Sequence, residues 1–306
     1  MANWERLRSD GWLHSGRWLW ARALAWLVVL AVISVVAFNL ATHLILRAAV
    51  ALSGDIFTTG AAAPLAVRFV AAVIGCAVMI AVYAAAVRLV ERRPVEELDR
   101  TPILIELGYG LLIGGALIGA IVAVNWAAGW VDIHSSPIAH IGEALRQTLR
   151  SAVVEEILLR LIVFRLLWRA FGIWPGLLLS AAAFGALHLG NPDVTPFAAI
   201  SLFAGEGVAV GTYLLTGRIW VPIGFHAGWN FTQGWLFGAV VSGVEGFGGG
   251  PLQTRPVAGV DPVLSGGGFG PEGSLACLLL SLVASGMAMV IAVRRSPAFR
   301  DGRRAE

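Results

Sequence analysis

Charge is scarce in this 306-residue chain, with 13% charged residues against 58% hydrophobic and a mean hydropathy of +0.78. Soluble domains carry about 25% charge, so this composition excludes an ordinary soluble fold and points to a membrane protein. Lysine is missing altogether: all 22 basic residues are arginine. Cysteine is limited to Cys76 and Cys277, both in apolar runs without metal-ligand spacing, which leaves them as small packing residues. Strict alternation of polar and apolar residues is also lacking, and a β-barrel is therefore a poor reading.

What the chain does contain is a series of apolar runs, each near the roughly 20 residues that a helix needs to cross a ~30 Å hydrocarbon core. They are read at about Ala23 to Leu46, Phe69 to Val87, Leu107 to Val131, Ala170 to Leu187, Ile219 to Val244 and Gly273 to Val293. Two further spans are interrupted by charge, about Ile141 to Trp168 and Phe197 to Thr216, the second holding Glu206. The expected fold class is all-α, a polytopic transmembrane bundle of about eight helices. The first run follows four arginines, yet its length and its lack of a small-residue cleavage site read as a retained anchor rather than a secretory signal.

Arginine placement orients the bundle by the positive-inside rule. With the N-terminus inside, inner segments collect Arg6, Arg8, Arg17, Arg22, Arg88, Arg92, Arg93, Arg100, Arg165, Arg169, Arg218, Arg294, Arg295, Arg300, Arg303 and Arg304. Outer segments hold Arg47, Arg68, Arg146, Arg150 and Arg255, which leaves Arg160 at membrane depth. Both termini are expected in the cytoplasm. The basic pI of about 9.4 is accounted for by flanks that meet anionic lipid, so the lipid bilayer is an expected partner and nucleic acid is not.

Three units are expected along the chain: residues 1–140 with the first helices and a charged inner connector, 141–240 as a core, and 241–306 with a glycine-rich loop, a last helix and a basic tail. The connector is "ERRPVEELDR", Glu91 to Arg100, with Pro94 marking a helix stop. Val241 to Gly273 carries eleven glycines, which suggests turns and mobility; a lid or binding loop and a flexible outer linker are both open readings. In "GYGLLIGGALIG" the glycines Gly110, Gly114 or Gly115, and Gly119 recur at helical spacing, the pattern of close helix packing.

Ionisable groups at membrane depth cost on the order of 2.5–3.5 kcal/mol each, so they need partners or an aqueous cavity. In "SAVVEEILLR", Glu156 and Arg160 stand four apart on one helical face in the favourable acid-first order and can pair. Glu155 points about 100° away and is left over. Downstream, "FGALH" ends at His188, and "HAGWN" places His226 and Asn230 on one face. Taken singly, each could be an interhelical hydrogen-bonding residue. Together they suit two chemistries that spacing leaves open. Glu155, His188 and His226 could ligate zinc or another divalent metal with a position open for water. Alternatively, without metal, Glu155 and His188 could deprotonate a water while His226 and Asn230 donate to the oxyanion formed at a peptide carbonyl.

"EEILLR", "FGALH" and "HAGWN" resemble the three ordered motifs EExxxR, FxxxH and HxxxN of the CPBP family, the CAAX-protease and bacteriocin-processing intramembrane endopeptidases. The likeness runs from about Arg146 to Trp235, and "TGRIWVPIGFHAGWN" and "GGGFGPEGS" are similar to sequence common among bacterial members. The resemblance implies a CAAX-protease-like bundle of about eight transmembrane helices in a bacterial cell membrane, acting on a membrane-associated protein or peptide. It implies Glu155 as the water-activating carboxylate assisted by His188, His226 and Asn230 as oxyanion donors, and Glu156 with Arg160 as a structural pair. Members are often labelled metalloproteases, and the need for a metal is left open. Glu206, in "FAGEGVAV", matches no motif of the family.

Other protease classes are not supported: the chain has no HExxH zinc motif, no GxSx serine motif with a partner histidine and no GxGD aspartyl motif. A transporter would show repeated halves with interrupted helices, and no internal repeat is detected. A non-catalytic scaffold, bacteriocin-immunity or regulatory protein of the same fold is the alternative. It has no reason to keep Glu155, His188, His226 and Asn230 together.

Overall fold

The structure is a computed structural model that describes residues 9–53 and 63–296. Arg6, Arg8, Arg300, Arg303 and Arg304, expected in the cytoplasmic flanks, lie outside the described residues. Ten α-helices follow in chain order among the described residues: α1 (Leu19–Ser53), α2 (Leu65–Ala86), α3 (Ile103–Ala127), α4 (Ile141–Glu156), α5 (Arg165–Phe171), α6 (Ile173–Leu187), α7 (Pro196–Thr216), α8 (Trp220–Phe231), α9 (Pro262–Ser265) and α10 (Leu275–Arg295). Of these, α1, α2, α3, α7 and α10 are long and apolar enough to cross a membrane. The fold is an all-α, multi-pass membrane bundle.

The remaining expected spans are helical but differ in extent. α4 and α5 are joined by a π-helical stretch, Ile157–Phe164, so the charge-interrupted span is one long helical run. α6 has 15 residues, fewer than the run read from hydropathy, because Gly172 (φ 94°) breaks the chain before it. α8 continues as a π turn to Leu236 and stops short of Val244. Gly238 then turns the chain at φ 60°, where a Cβ would lie 2.1 Å from the Leu252 carbonyl oxygen. A small two-stranded antiparallel sheet was not expected: β1 (Val131–Ser135) pairs with β2 (Leu252–Pro256), Val131 opposite Pro256 and Ser135 opposite Leu252.

Helix faces divide as a lipid environment requires. On α1, Val28, Val32, Val36, Leu40 and Leu44 recur every four residues and are exposed, while Ala23, Trp26, Leu30, Ser34 and Phe38 are buried. The buried face joins Met79, Tyr83 and Val87 and meets Ile157, Leu161 and Phe164 of the π stretch. α3 and α8 pack glycine against glycine. A Cβ on Gly110 or Gly114 would come within 2.3 and 2.0 Å of α8 carbonyl oxygens, and one on Gly224 or Gly228 within 2.4 and 2.3 Å of α3 carbonyl oxygens. The close packing read from α3 is therefore reciprocal.

In the charged inner connector three of the ten residues, Glu91, Arg93 and Glu97, are buried. Glu91 accepts from both Arg165 Nη atoms at 2.7 Å, from Trp26 Nε1 at 2.9 Å and from Arg93 Nε at 2.9 Å. Arg93 in turn donates to Glu97 at 2.6 and 2.9 Å, and the Tyr83 hydroxyl donates to the same carboxylate. Arg165, assigned from sequence to the inner flank, is fully buried, and its Nε donates to Leu161 O at 2.7 Å. The Pro94 ring and the left-handed Arg92 (φ 54°) end α2's extension and fold this segment inward. Burial alone would raise the Glu97 carboxyl, but the Arg93 guanidinium outweighs it and holds Glu97 below its usual value.

Candidate active site

Counting along the helices brings the polar residues to one depth. Gly172 is the turn of a helical hairpin, and Glu156 precedes it by sixteen residues while His188 follows it by sixteen. Gly217 (φ 71°) is the next turn, with Glu206 eleven residues before it and His226 nine after. At about 1.5 Å rise per residue the two legs of each hairpin are nearly equal, which sets Glu156 level with His188 and Glu206 level with His226. His188, which the expected topology set toward the opposite end of the membrane from His226, therefore lines the same cavity.

That cavity, of about 130 Å³, is lined by Glu155, Glu156, Arg160, His188, Glu206, His226 and Asn230 among other residues. All six residues singled out by the motifs reach it. The two adjacent glutamates divide as their 100° offset requires: the Glu156 side chain is 1% exposed, the Glu155 side chain 32%. α4 and α8 run antiparallel here, for Ser151 meets Asn230 while Glu156 meets His226.

His226 Nδ1 donates to Glu156 Oε1 at 2.8 Å, and its Nε2 lies 3.7 Å from Glu155 Oε2, outside hydrogen-bond range. Glu156 is thus more than the partner of Arg160. Arg160 Nε lies 2.9 Å from Glu156 Oε2 at an angle that is not a hydrogen bond's, so the attraction is chiefly Coulombic. Its Nη2 donates to Glu206 Oε2 at 3.0 Å. The acid that matched no motif is the second partner of the motif arginine.

His188 caps the C-terminus of α6, and its Nδ1 lies 2.8 Å from Phe184 O. A carbonyl can only accept, so Nδ1 carries the proton and Nε2 keeps its lone pair when the ring is neutral. Phe184 also sets its ring edge-on against His188 at 4.7 Å between centroids and lies 5.9 Å below the Arg160 guanidinium. Both ends of the FxxxH motif therefore belong to the site. Asn230 is buried and donates from Nδ2 to Ser151 Oγ at 3.0 Å, leaving its second amide proton for another acceptor. Ser151 was not singled out from sequence, although it stands four residues before Glu155 on the same face.

Part of the glycine-rich segment lies against this cavity and is held there by hydrogen bonds. Val241, Ser242, Val244, Phe247 and Glu272 line the cavity. Glu272, 3% exposed, accepts from Ser242 N and Oγ at 2.6 Å and from Trp229 Nε1 at 2.8 Å, one residue from Asn230. Asn191 Nδ2 adds a bond to Ser242 O at 2.8 Å.

Among the described residues no three His, Cys, Asp or Glu side chains gather as a metal-ligand set. His226 and His188 each commit Nδ1 to a protein acceptor, which leaves Nε2 as the nitrogen a divalent ion would take, but Glu155, His188 and His226 are not gathered into a ligand set in this arrangement.

Fold and site together define a membrane-embedded helix bundle with a buried acid, histidine and amide cluster. Residues 137–232 match the family model described as Type II CAAX prenyl endopeptidase Rce1-like, so the chain carries an Rce1-like domain, consistent with the CPBP family. The match covers 96 of the 306 residues and points to protease activity in broad class. No curated protein and no solved structure matches the chain.

Proposed function

We propose that this protein hydrolyses a peptide bond of a membrane-associated protein or peptide, with a water activated by Glu155. The observation that carries this reading is that Glu155, His188, His226 and Asn230, from two helices and the end of a third, line one cavity. Glu155 is the part-exposed carboxylate and takes a proton from water. His188, with a free Nε2 lone pair, assists it as a second base. With Glu156 against Nδ1 and Glu155 near Nε2, the His226 ring can carry a proton on both nitrogens. The Nε2 proton and the second amide proton of Asn230 are then the donors for the tetrahedral oxyanion. Glu156 orients the His226 ring. Collapse of the intermediate needs a proton on the leaving amine, which Glu155 returns.

The chain is read with both termini in the cytoplasm and residues 141–240 as the catalytic core, on the distribution of its arginines and motifs. The test is cleavage of membrane-associated peptides by the purified protein in liposomes, read by mass spectrometry. Glu155→Ala should abolish cleavage while its melting in detergent stays close to the parent's; equal cleavage by the variant would sink the mechanism. Stripping the parent with a chelator, checked by elemental analysis, should leave its rate unchanged. A rate that falls and returns with zinc would replace the metal-free route.

A further inference from the structure

The site holds more acid than the proposed reaction uses. Glu155 activates water and Glu156 orients His226, but Glu206, 1% exposed on α7, touches no group that takes part in bond making. A carboxylate buried among helices without a task would be selected against by its insertion cost. Its single hydrogen bond, from Arg160 Nη2 at 3.0 Å, shows where it acts.

Arg160 has two faces in this site. Nε is 2.9 Å from Glu156 Oε2 and Nη2 is 3.0 Å from Glu206 Oε2, so two nitrogens of one guanidinium serve two different carboxylates. Glu156 uses its other oxygen, Oε1, to accept from His226 Nδ1 at 2.8 Å. A guanidinium left to itself takes a carboxylate with two parallel hydrogen bonds. If Arg160 did so with Glu156, it would engage both carboxylate oxygens and compete with His226 for Oε1. Glu206 withholds Nη2 from that arrangement, and the long-angle contact of Arg160 Nε with Glu156 is what results.

We propose that Glu206 is a positioning residue for His226: it holds Arg160 Nη2 so that Glu156 Oε1 stays on the histidine. The inference rests on the reading of His226 as an oxyanion donor, but its geometry can be read without activity. The chain of contacts is Glu206 to Arg160, Arg160 to Glu156, and Glu156 to His226, across α7, the π stretch after α4, and α8. Neither an uncharged isostere nor a shortened acid is equivalent in it. Gln at 206 keeps the shape and loses the charge that attracts Nη2, whereas Asp keeps the charge and shortens the reach by one methylene.

The experiment compares parent, Glu206→Gln and Glu206→Asp as full-length protein in detergent micelles. Protein labelled with ¹⁵N-histidine reports the His226 Nδ1 proton by NMR, assigned by its absence in His226→Gln. Steady-state rates are taken on a peptide that the parent cleaves. Glu206→Gln should keep a parent-like melting temperature, lose or shift the His226 Nδ1–H signal, and lower kcat about tenfold, short of the 10²–10³ cost of deleting an oxyanion donor. KM should stay within about twofold, since the lost interaction belongs to the transition state. Glu206→Asp should restore most of the signal and of kcat. A folded Glu206→Gln with an unchanged signal and rate would overturn the inference, as would an Asp variant as impaired as Gln. Should Gln prevent folding, the Asp variant decides alone by the same two readouts. If the parent cleaves nothing, the proposed function fails, while the NMR signal still decides the positioning role.

Discussion

Arg160 is held between two carboxylates from different helices, Glu156 of α4 and Glu206 of α7, and its side chain is 4% exposed. Removing it leaves both acids buried without their cation, the situation in which breaking a buried pair costs about 3–5 kcal/mol. Arg160→Ala should therefore lower the unfolding free energy in detergent by about that amount, read by denaturant titration, and a change below ~1 kcal/mol would mean that the acids find other partners. Asn230→Ala is a different kind of loss. On the proposed mechanism it removes an oxyanion donor and should cost about 10²-fold in kcat with little change in melting. Ser151→Ala, which only frees Asn230 from its acceptor, should cost less. The Glu156 and Arg160 pair was legible from a four-residue spacing, because a helix puts such residues side by side. The bond from His226 to Glu156 was not, since no local periodicity relates residues seventy positions apart. Glu206 could have been placed by counting back from the Gly217 turn, which sets it nearly level with His226.

At the scale of elements, α8 carries His226 between Gly224 and Gly228, and those two glycines are the ones that face α3. The histidine is thus positioned by a helix contact with no spare volume. Gly114→Val puts a side chain where a Cβ would lie 2.0 Å from the Phe225 carbonyl oxygen, so α8 must move. Cleavage should be lost and thermal melting reduced. Gly119→Ala on the same helix meets only Phe237 at 3.8 Å, an ordinary contact, and should leave both unchanged or add slightly to helix stability. Equal outcomes for the two variants would show that the interface does not position the site. The sequence made the α3 glycine spacing legible and left its partner unnamed. "GFHAG" carries the matching four-residue spacing, but the histidine at its centre drew the chemical reading instead of the packing one. The β1–β2 sheet was missed for a related reason: two five-residue strands whose starts lie 121 positions apart, flanked by long apolar runs, give no period of their own.

For the molecule as a whole, the buried Glu91, Arg93, Glu97 and Arg165 cluster ties the α2–α3 connection to the start of α5, just after the π stretch that follows α4. Glu97 titrates below its usual 4.5, so the stability it contributes is complete above that pH and is lost as pH falls through its lowered value. The parent's melting temperature should therefore drop as pH is taken below about 4.5. Glu97→Gln, less stable at neutral pH, should drop less over the same window; parallel curves would assign the acid sensitivity elsewhere. Hydropathy read this segment as a solvated loop because its charges are consecutive, and only the partners contributed by α1, α2 and α5 show why they can be buried. α6 has a wider consequence. Fifteen residues span about 22 Å, some 8 Å short of an average hydrocarbon core, and its C-terminal end is the one that carries His188. A hydrophobic stretch this short favours a locally thinner bilayer around it, which would bring bulk water nearer the cavity. Acyl-chain length should then modulate the proposed cleavage: the rate in liposomes of long-chain lipid is expected to fall below that in short-chain lipid.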